Sequence, residues 1–223
     1  MLFRSDTASA MKSAGITPVE LTSKEGLALI NGTDGMTGML VMAIDDATAL
    51  LKTVDVTAAM SIEALLGTDK VFAEELHSIR PHPGQINSAR NLRELLKDSP
   101  LVKSHAGKED NRVQDAYSLR CAPQVAGGAR DTVAHALEVA IRELHSVIDN
   151  PIVLANGEVR SNGNFHGAPI AYVLDFLAIA LADVASMSER RTDRALDEHR
   201  NFGLPPFLAD NRSEEHTSEL QSH

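Results

Sequence analysis

The chain has 223 residues, of which 43% are hydrophobic, and a formal net charge of −10 at pH 7. This length and apolar content are enough to bury a sizeable core in one domain. An acidic chain without a basic stripe argues against nucleic-acid binding. The single cysteine, Cys121, excludes an internal disulfide framework and fits a reducing compartment.

Hydrophobic periodicity predicts mostly helices in the first half of the chain. The Thr22–Glu25 run has the spacing of a capping box and predicts a short helix that ends near Asn31 and Gly32. After a break at 32–35, the residues predict one long helix. This helix is expected to end near residue 66, because Gly67 would terminate it. Further helices are predicted over 69–79 and 86–97, followed by a polar loop over 98–111.

The second half predicts two more helices and one hairpin. A periodic helix is expected from about residue 130 to 147, and it must stop before Asn150-Pro151. The glycine-rich stretch 125–129 is expected to loosen the start of this helix by up to about 1 kcal/mol. Short apolar runs on either side of Asn156-Gly157 predict a β-hairpin, and a last helix is expected over 169–196.

Neither a signal peptide nor a membrane span is expected. Charged residues interrupt the first dozen positions, which lack a long apolar run. The most apolar stretch, 36–66, is interrupted by charged residues and is therefore interpreted as a core helix. These include Asp45, Asp46, Lys52 and Asp55. The expected location is the cytoplasm, without a membrane or nucleic-acid partner.

A candidate binding site lies in the run 112–125. Gln114, Tyr117 and Arg120 follow one another at steps of three residues, which in a helix would place them within an arc of about 120°. An amide, a phenol and a guanidinium suit a small molecule with a carboxylate, which Arg120 can bind in a planar fork. A solvated polar stripe is the alternative, with Arg120 paired to Asp115 or Asp110 for less than about 1 kcal/mol.

This run resembles the central motif of the aromatic amino acid ammonia-lyases. Its residues are similar to those of the branch that acts on histidine. Other blocks carry the same resemblance in the family's order over about residues 15–211. They are Gly26–Thr33, Arg80–Gln85, Asp149-Asn150-Pro151, Ser161–Gly167 and Ser188–Arg191. No group of residues has metal-ligand spacing, so no metal site is expected.

The resemblance implies a mainly α fold, part of the long helical bundle of the fumarase/aspartase-like superfamily, with one small β-hairpin. It implies an amino acid substrate, a homotetramer, and conversion of L-histidine to urocanate and ammonia. A phenylalanine or tyrosine ammonia-lyase, an aminomutase and a non-catalytic helical subunit remain alternatives.

The resemblance also implies roles for individual residues. Arg120 matches the arginine that binds the substrate carboxylate, and Tyr117 and Gln114 match residues near the catalytic electrophile and the substrate amine. Asn31 matches an asparagine that hydrogen-bonds near the electrophile and the carboxylate. Each has a structural alternative, which for Asn31 before Gly32 is an ordinary helix C-cap.

Two further residues match active-site positions of the family. Asn150 matches an active-site asparagine, although an asparagine before proline could be only a turn former. Phe165 matches a phenylalanine that packs beside the electrophile, although on composition alone a core position is the commoner one.

The family's electrophile is methylidene-imidazolone (MIO), which forms from an Ala-Ser-Gly tripeptide. No such tripeptide occurs in these 223 residues, so the segment by itself is not expected to catalyse the reaction. Residues 1–211 are therefore assigned to an internal part of a lyase domain. Residues 212–223 break from the family pattern and resemble a translated sequencing adapter, with a natural solvated tail as the alternative.

Overall fold

The structure is a computed structural model that describes residues 6–107 and 113–208. The predicted non-native tail, residues 212–223, lies outside this range, and so does Asp110. Within the described residues the chain forms α1 (Thr7–Ser13), α2 (Glu25–Ala28), α3 (Asp34–Ala64), α4 (Glu74–Ser78), α5 (Pro83–Leu96), α6 (Pro100–Ser104), α7 (Tyr117–Arg120), α8 (Ala122–Leu144), β1 (Ile152–Val153), β2 (Val159–Arg160) and α9 (Ala168–Leu196), with 3₁₀ turns at Lys70–Phe72 and Pro206–Leu208.

The chain divides into two compact units. The smaller unit comprises 1–34 and 146–167, and the larger comprises 35–145 and 168–223. The smaller unit contains the predicted hairpin, in which β1 and β2 pair antiparallel with Ile152 opposite Arg160. Gly157 takes the left-handed conformation that the turn requires, with φ of 82°. The hairpin is confirmed, with strands of only two residues.

The capping box predicted before α2 forms only in part, because the N-cap is Lys24 and it makes no side-chain capping hydrogen bond. The backbone N–H of Thr22 donates to the Glu25 carboxylate at 2.6 Å. This bond lowers the pKa of Glu25, because hydrogen bonding favours the charged form. The helix itself is short and ends at Ala28, three residues before the candidate site residue Asn31.

The larger unit is built on two apolar clusters along its long helices. In the first, α3 contributes Leu40 and Leu51, α8 contributes Ala136, and α9 contributes Ile170 and Leu177. The second cluster lies between the end of α3, the 3₁₀ turn, α5 and α7, and it contains Ile62, Phe72, Leu92, Leu96 and Leu119. The second cluster buries one side of α7, which carries two of the candidate site residues.

Helices α5 and α8 touch through their backbones at two glycines. A Cβ added to Gly127 would lie 2.3 Å from Cα of Gln85, and one added to Gly84 would lie 2.1 Å from the carbonyl oxygen of Gly127. Only hydrogen fits at either position. The expectation that the glycines loosen a helix start was wrong, because α8 begins at Ala122 and Gly127 lies inside it, at a tight helix contact.

Other boundaries differ for local reasons. Helix α6 forms within the predicted loop because Ser99 accepts a hydrogen bond from the Val102 N–H and Pro100 begins the helix. The predicted helix over 69–79 is interrupted at Ala73, whose φ and ψ of −55° and 142° are not helical. After α3 the left-handed residue is Leu66, with φ of 51°, rather than Gly67.

Helix α9 is long and apolar enough to cross a membrane, judged by length and composition alone. The stretch predicted from sequence to be the most apolar is 36–66 instead. A core helix passes the same test, and α9 buries Ile170, Val173, Leu177 and Val184 in the first apolar cluster. Length and composition are therefore weak grounds for a membrane role.

A buried ion pair joins three helices of the larger unit. Asp55 of α3 is 3% exposed, and its carboxylate accepts from Arg130 of α8 at 2.6 Å and from Asn91 of α5 at 2.7 Å. Arg130 also donates to the Leu51 carbonyl at 2.7 Å and to the Ser88 hydroxyl at 3.0 Å. The charges are therefore compensated by several hydrogen bonds as well as by each other.

Replacing Arg130 with methionine should lower the free energy of unfolding by about 3–5 kcal/mol, because Asp55 would remain buried without its counter-charge. Urea denaturation of the chain measures this loss. Arg142→Met is the matched control, since Arg142 and its partner Glu138 are both about two-thirds exposed, at 68% and 67%. That change should cost less than about 0.5 kcal/mol, and equal losses in the two variants would contradict the assignment.

Candidate functional site

In the larger unit, Gln114, Tyr117 and Arg120 come together, but not on one helical face. Only Tyr117 and Arg120 belong to α7, which is four residues long, and Gln114 precedes it in non-helical chain. Arg120 Nη2 nevertheless donates to Gln114 Oε1 at 2.7 Å. The Arg120 guanidinium carbon lies 4.7 Å from the centre of the Tyr117 ring. The predicted helical stripe was wrong in its geometry, while the grouping of the three side chains is confirmed.

Arg120 is not neutralised by an acid in the part of the chain that the structure describes. Its Nε is buried and has no hydrogen-bond partner there. Asp115, one proposed partner, instead accepts from the Thr68 backbone N–H at 2.7 Å. Burying a guanidinium N–H without an acceptor is costly, so this group is suited to a ligand that brings an anionic oxygen.

Helix α7 is held in place by a buried arginine of α9. Arg191 is 4% exposed, and its Nη1 donates to the Ser118 carbonyl at 3.3 Å. Burial lowers the pKa of Arg191, because desolvation disfavours its charged form. Ser118 and Leu119, between Tyr117 and Arg120, are also buried. Sequence reasoning placed Arg191 in a family block but gave it no role.

In the smaller unit, Asn31 contacts the Asp149-Asn150 pair. Asn31 Nδ2 donates to Asp149 Oδ1 at 3.1 Å and lies 3.5 Å from the Asn150 carbonyl oxygen. The C-cap of α2 is Leu29, so Asn31 does not serve as the helix C-cap. Gly32 has φ of 118°, and a Cβ there would lie 3.1 Å from the Ile148 carbonyl oxygen. Glycine at position 32 thus lets the chain place Asn31 against this pair.

Asn150 is anchored through its side-chain oxygen. Asn150 Oδ1 accepts from the Asn162 backbone N–H at 2.8 Å and from Ser161 Oγ at 3.2 Å. Asn162 Nδ2 in turn donates to the Asp149 carbonyl at 3.0 Å. Phe165, on the same segment, is 41% exposed, so it is not the core residue that composition alone favoured.

Asp149 is the central acid of this network, and sequence reasoning missed both it and its partner Lys24. Its carboxylate bonds to the Lys24 ammonium, the Asn31 amide and the Asn150 backbone N–H. These bonds, with that from Lys24 the largest cause, hold the pKa of Asp149 below its usual value of 3.8. The only sequence signal was the position of Asp149 directly before Asn150.

This depressed pKa predicts a pH dependence of stability. Because the folded-state pKa lies below the unfolded one, the stabilisation is present above about pH 3.8 and is lost as the pH falls through the folded-state value. We therefore expect the difference in Tm between the wild type and Asp149→Asn to shrink as the pH falls below 3.8. Thermal unfolding at several acidic pH values measures it, and a constant difference would contradict the role of Asp149.

Comparison with known proteins bears directly on this site. The sequence model described as aromatic amino acid lyase matches residues 3–221. The chain belongs to the aromatic amino acid lyase family. Members of the family act on amino acids, which agrees with an Arg120 guanidinium that has no acidic partner among residues 6–107 and 113–208. The mainly helical fold expected from the resemblance is confirmed by solved structures of the family.

Similar proteins cover nearly all of the chain. Histidine ammonia-lyase of Streptomyces avermitilis is 68% identical over 196 residues, which are 88% of this chain and 38% of that enzyme. Tyrosine aminomutase from Streptomyces globisporus has a TM-score of 0.82 at 40% identity, with 96% of this chain and 44% of that one covered. Histidine ammonia-lyase from Trypanosoma cruzi has a TM-score of 0.79 at 37% identity, over 93% and 38% respectively. The chain thus spans about two fifths of the length of these relatives.

The family uses MIO as its electrophile, and the residues that would form the group do not occur in these 223 residues. The polar groups are a guanidinium, a phenol and a carboxamide in the larger unit, and two carboxamides with the Lys24–Asp149 pair in the smaller unit. These suit the carboxylate and amine of an amino acid rather than formation of the electrophile itself.

Proposed function

We propose that the complete protein containing this segment converts L-histidine to urocanate and ammonia. The observation that carries the proposal is identity of 65–68% to histidine ammonia-lyases from three Streptomyces species, over 88% of the chain. The groups around Arg120 support it, because they offer a charged fork and directed hydrogen bonds to an α-amino acid.

The reaction is difficult because ammonia is a poor leaving group and the β-proton is barely acidic. It needs an electrophile, a base for the β-proton and a clamp for the carboxylate. The MIO group, when present, supplies the electrophile. In this segment Arg120 binds the substrate carboxylate, and Gln114 keeps its guanidinium oriented through the 2.7 Å hydrogen bond. Tyr117 stacks on the same guanidinium and offers its hydroxyl near the amine.

The complete protein is proposed to be a cytoplasmic homotetramer. Helix α9 exposes Tyr172, Phe176 and Ile179 at successive turns, and α3 exposes Met39 and Met42. Rows of large apolar side chains on long helices are typical of surfaces that other helices cover. Copies of the same protein would supply those helices in a closed, symmetric assembly.

A tyrosine or phenylalanine enzyme is the second candidate, because a tyrosine aminomutase shares the fold at 40% identity. A chimeric enzyme distinguishes the histidine ammonia-lyase assignment from the tyrosine or phenylalanine alternative. Residues 6–208 of this chain replace the matching part of the Streptomyces avermitilis histidine ammonia-lyase, and product formation is followed with L-histidine, L-tyrosine and L-phenylalanine.

The chimera is expected to form urocanate at a rate close to that of the unmodified enzyme. In the matched control, the same part of the Streptomyces globisporus aminomutase is placed in the same host and should not support urocanate formation. If this chain's chimera instead formed cinnamate, coumarate or a β-amino acid without urocanate, the histidine assignment would be wrong.

A further inference from the structure

We propose that a small cavity between α3, α8 and α9 binds one water molecule, which accepts a hydrogen bond from Arg191 and donates one to Asp55. The cavity has a volume of about 10 Å³, and its lining residues all belong to the larger unit. Arg191 and Asp55 are the charged residues among them, and the others are alanines, valines and one methionine. The inference goes beyond the proposed function and does not depend on it, because it rests on buried groups of one unit.

Arg191 supplies the donor at this cavity. Its side chain is 4% exposed, and the one hydrogen bond found for it among the described residues runs from Nη1 to the Ser118 carbonyl at 3.3 Å, which is long for such a bond. Its Nη2 is buried and has no partner in the same part of the chain. A guanidinium stays protonated in proteins, so a buried N–H without an acceptor keeps its full desolvation cost. An acceptor in the cavity removes that cost.

Asp55 supplies the acceptor. Its carboxylate accepts from Arg130 Nη2 at 2.6 Å and from Asn91 Nδ2 at 2.7 Å, and both bonds go to Oδ2. An ionised carboxylate can accept about four hydrogen bonds on its two oxygens. Oδ1 receives none from the residues that the structure describes, so it remains as an acceptor for a group in the cavity.

Size and charge select water as the occupant. A volume of about 10 Å³ is the least that holds one water molecule, which needs two to four polar partners. A chloride ion is larger and is repelled by Asp55, whereas a cation is repelled by Arg191. Water can accept from the guanidinium and donate to the carboxylate at the same time, so it satisfies both groups.

The bound water links the buried ion pair of the larger unit to helix α7. Asp55 is held by Arg130 on one side and, through the water, by Arg191 on the other. Arg191 in turn donates to the carbonyl of Ser118, which lies between Tyr117 and Arg120. One buried carboxylate thus compensates two buried guanidinium groups, the first directly and the second through water.

A crystal structure of the chimera tests the site directly. We expect one electron-density peak at about 2.7–3.2 Å from both Arg191 Nη2 and Asp55 Oδ1. Crystals soaked in bromide should show no anomalous signal at this peak, because an anion is excluded. The peak should be lost in Arg191→Met, which removes the donor. It should remain in Arg190→Met, the matched control, which removes an exposed arginine of the same helix that is paired with Glu189.

A double-mutant cycle measures whether the two groups interact. Asp55→Leu and Arg191→Met are made in the chimera singly and together, and the unfolding equilibrium constant is measured in urea. We expect the double variant to unfold about fivefold less readily than the product of the single effects predicts, because each single change already removes the water-mediated contact. The same cycle with Asp55→Leu and Arg190→Met should be multiplicative within about twofold.

Several results would overturn the proposal. They are a wild-type structure without the peak, direct contact between the Arg191 and Asp55 side chains, an anomalous bromide signal in the cavity, and a peak that persists in Arg191→Met. Multiplicative effects in the Asp55–Arg191 cycle would also contradict it. The wild-type structure decides the question even if a variant fails to fold, and it does so whether or not the chimera forms urocanate.

Discussion

Replacing Arg120 with methionine should lower kcat/KM of the chimera for L-histidine by about 10²–10³-fold. Truncating one partner of a desolvated, hydrogen-bonded charge pair costs about 2–5 kcal/mol, and each 1.4 kcal/mol is a factor of ten. The buried Nε, which has no partner within the part of the chain that the structure describes, and the bond from Nη2 to Gln114 indicate that Arg120 is held ready for an anionic ligand. Steady-state assays with L-histidine measure the effect.

Two variants test this interpretation of Arg120. Arg120→Lys keeps the charge but loses the planar fork, so we expect an intermediate loss of about tenfold or more. Arg142→Met removes an exposed arginine from the same unit and should leave kcat/KM unchanged. Full activity of Arg120→Met, in protein with wild-type Tm, would remove Arg120 from the site.

Replacing Gly127 with alanine should destabilise the chain by about 3 kcal/mol, the largest stability effect we expect from adding a single methyl group. The new Cβ would lie 2.3 Å from backbone atoms of Gln85, so α5 and α8 would have to move apart. The gain in helix propensity, about 1 kcal/mol, offsets only part of this cost. Urea denaturation and Tm measure the loss.

The neighbouring glycine is the control. Gly128 also lies inside α8, but its added Cβ meets nothing within 4 Å. Gly128→Ala should therefore stabilise the chain by about 0.5–1 kcal/mol. Gly84→Ala should resemble Gly127→Ala, since its Cβ would overlap the Gly127 carbonyl oxygen. Similar effects at 127 and 128 would contradict the tight helix contact.

Part of the site could be predicted from sequence because its residues lie close together in the chain. Tyr117 and Arg120 are one helical turn apart, and the structure keeps them in contact. Gln114 was also placed with them, but for the wrong reason. It reaches Arg120 from non-helical chain before α7, because the helix begins only at Tyr117.

Hydrogen-bonded residues that lie far apart in the sequence gave no local pattern from which their contact could be predicted. Lys24 and Asp149 are 125 positions apart, and Arg191 and Ser118 are 73 apart. A lysine in a turn and an arginine in a charged run look like ordinary surface residues. Only the burial of Arg191 and the hydrogen bonds of both residues show that they hold candidate site residues in place.

The sequence by itself determined the elements whose signals are local. Apolar periodicity placed α3 and α9, Asn156-Gly157 placed the hairpin, and the residue blocks identified the family. Tertiary structure decided which glycines had to be glycine and which polar atoms remained for a ligand. Those properties depend on distances between segments far apart in the chain: the approach of Gly127 to Gln85 and of Asn31 to Asp149 exists only after folding.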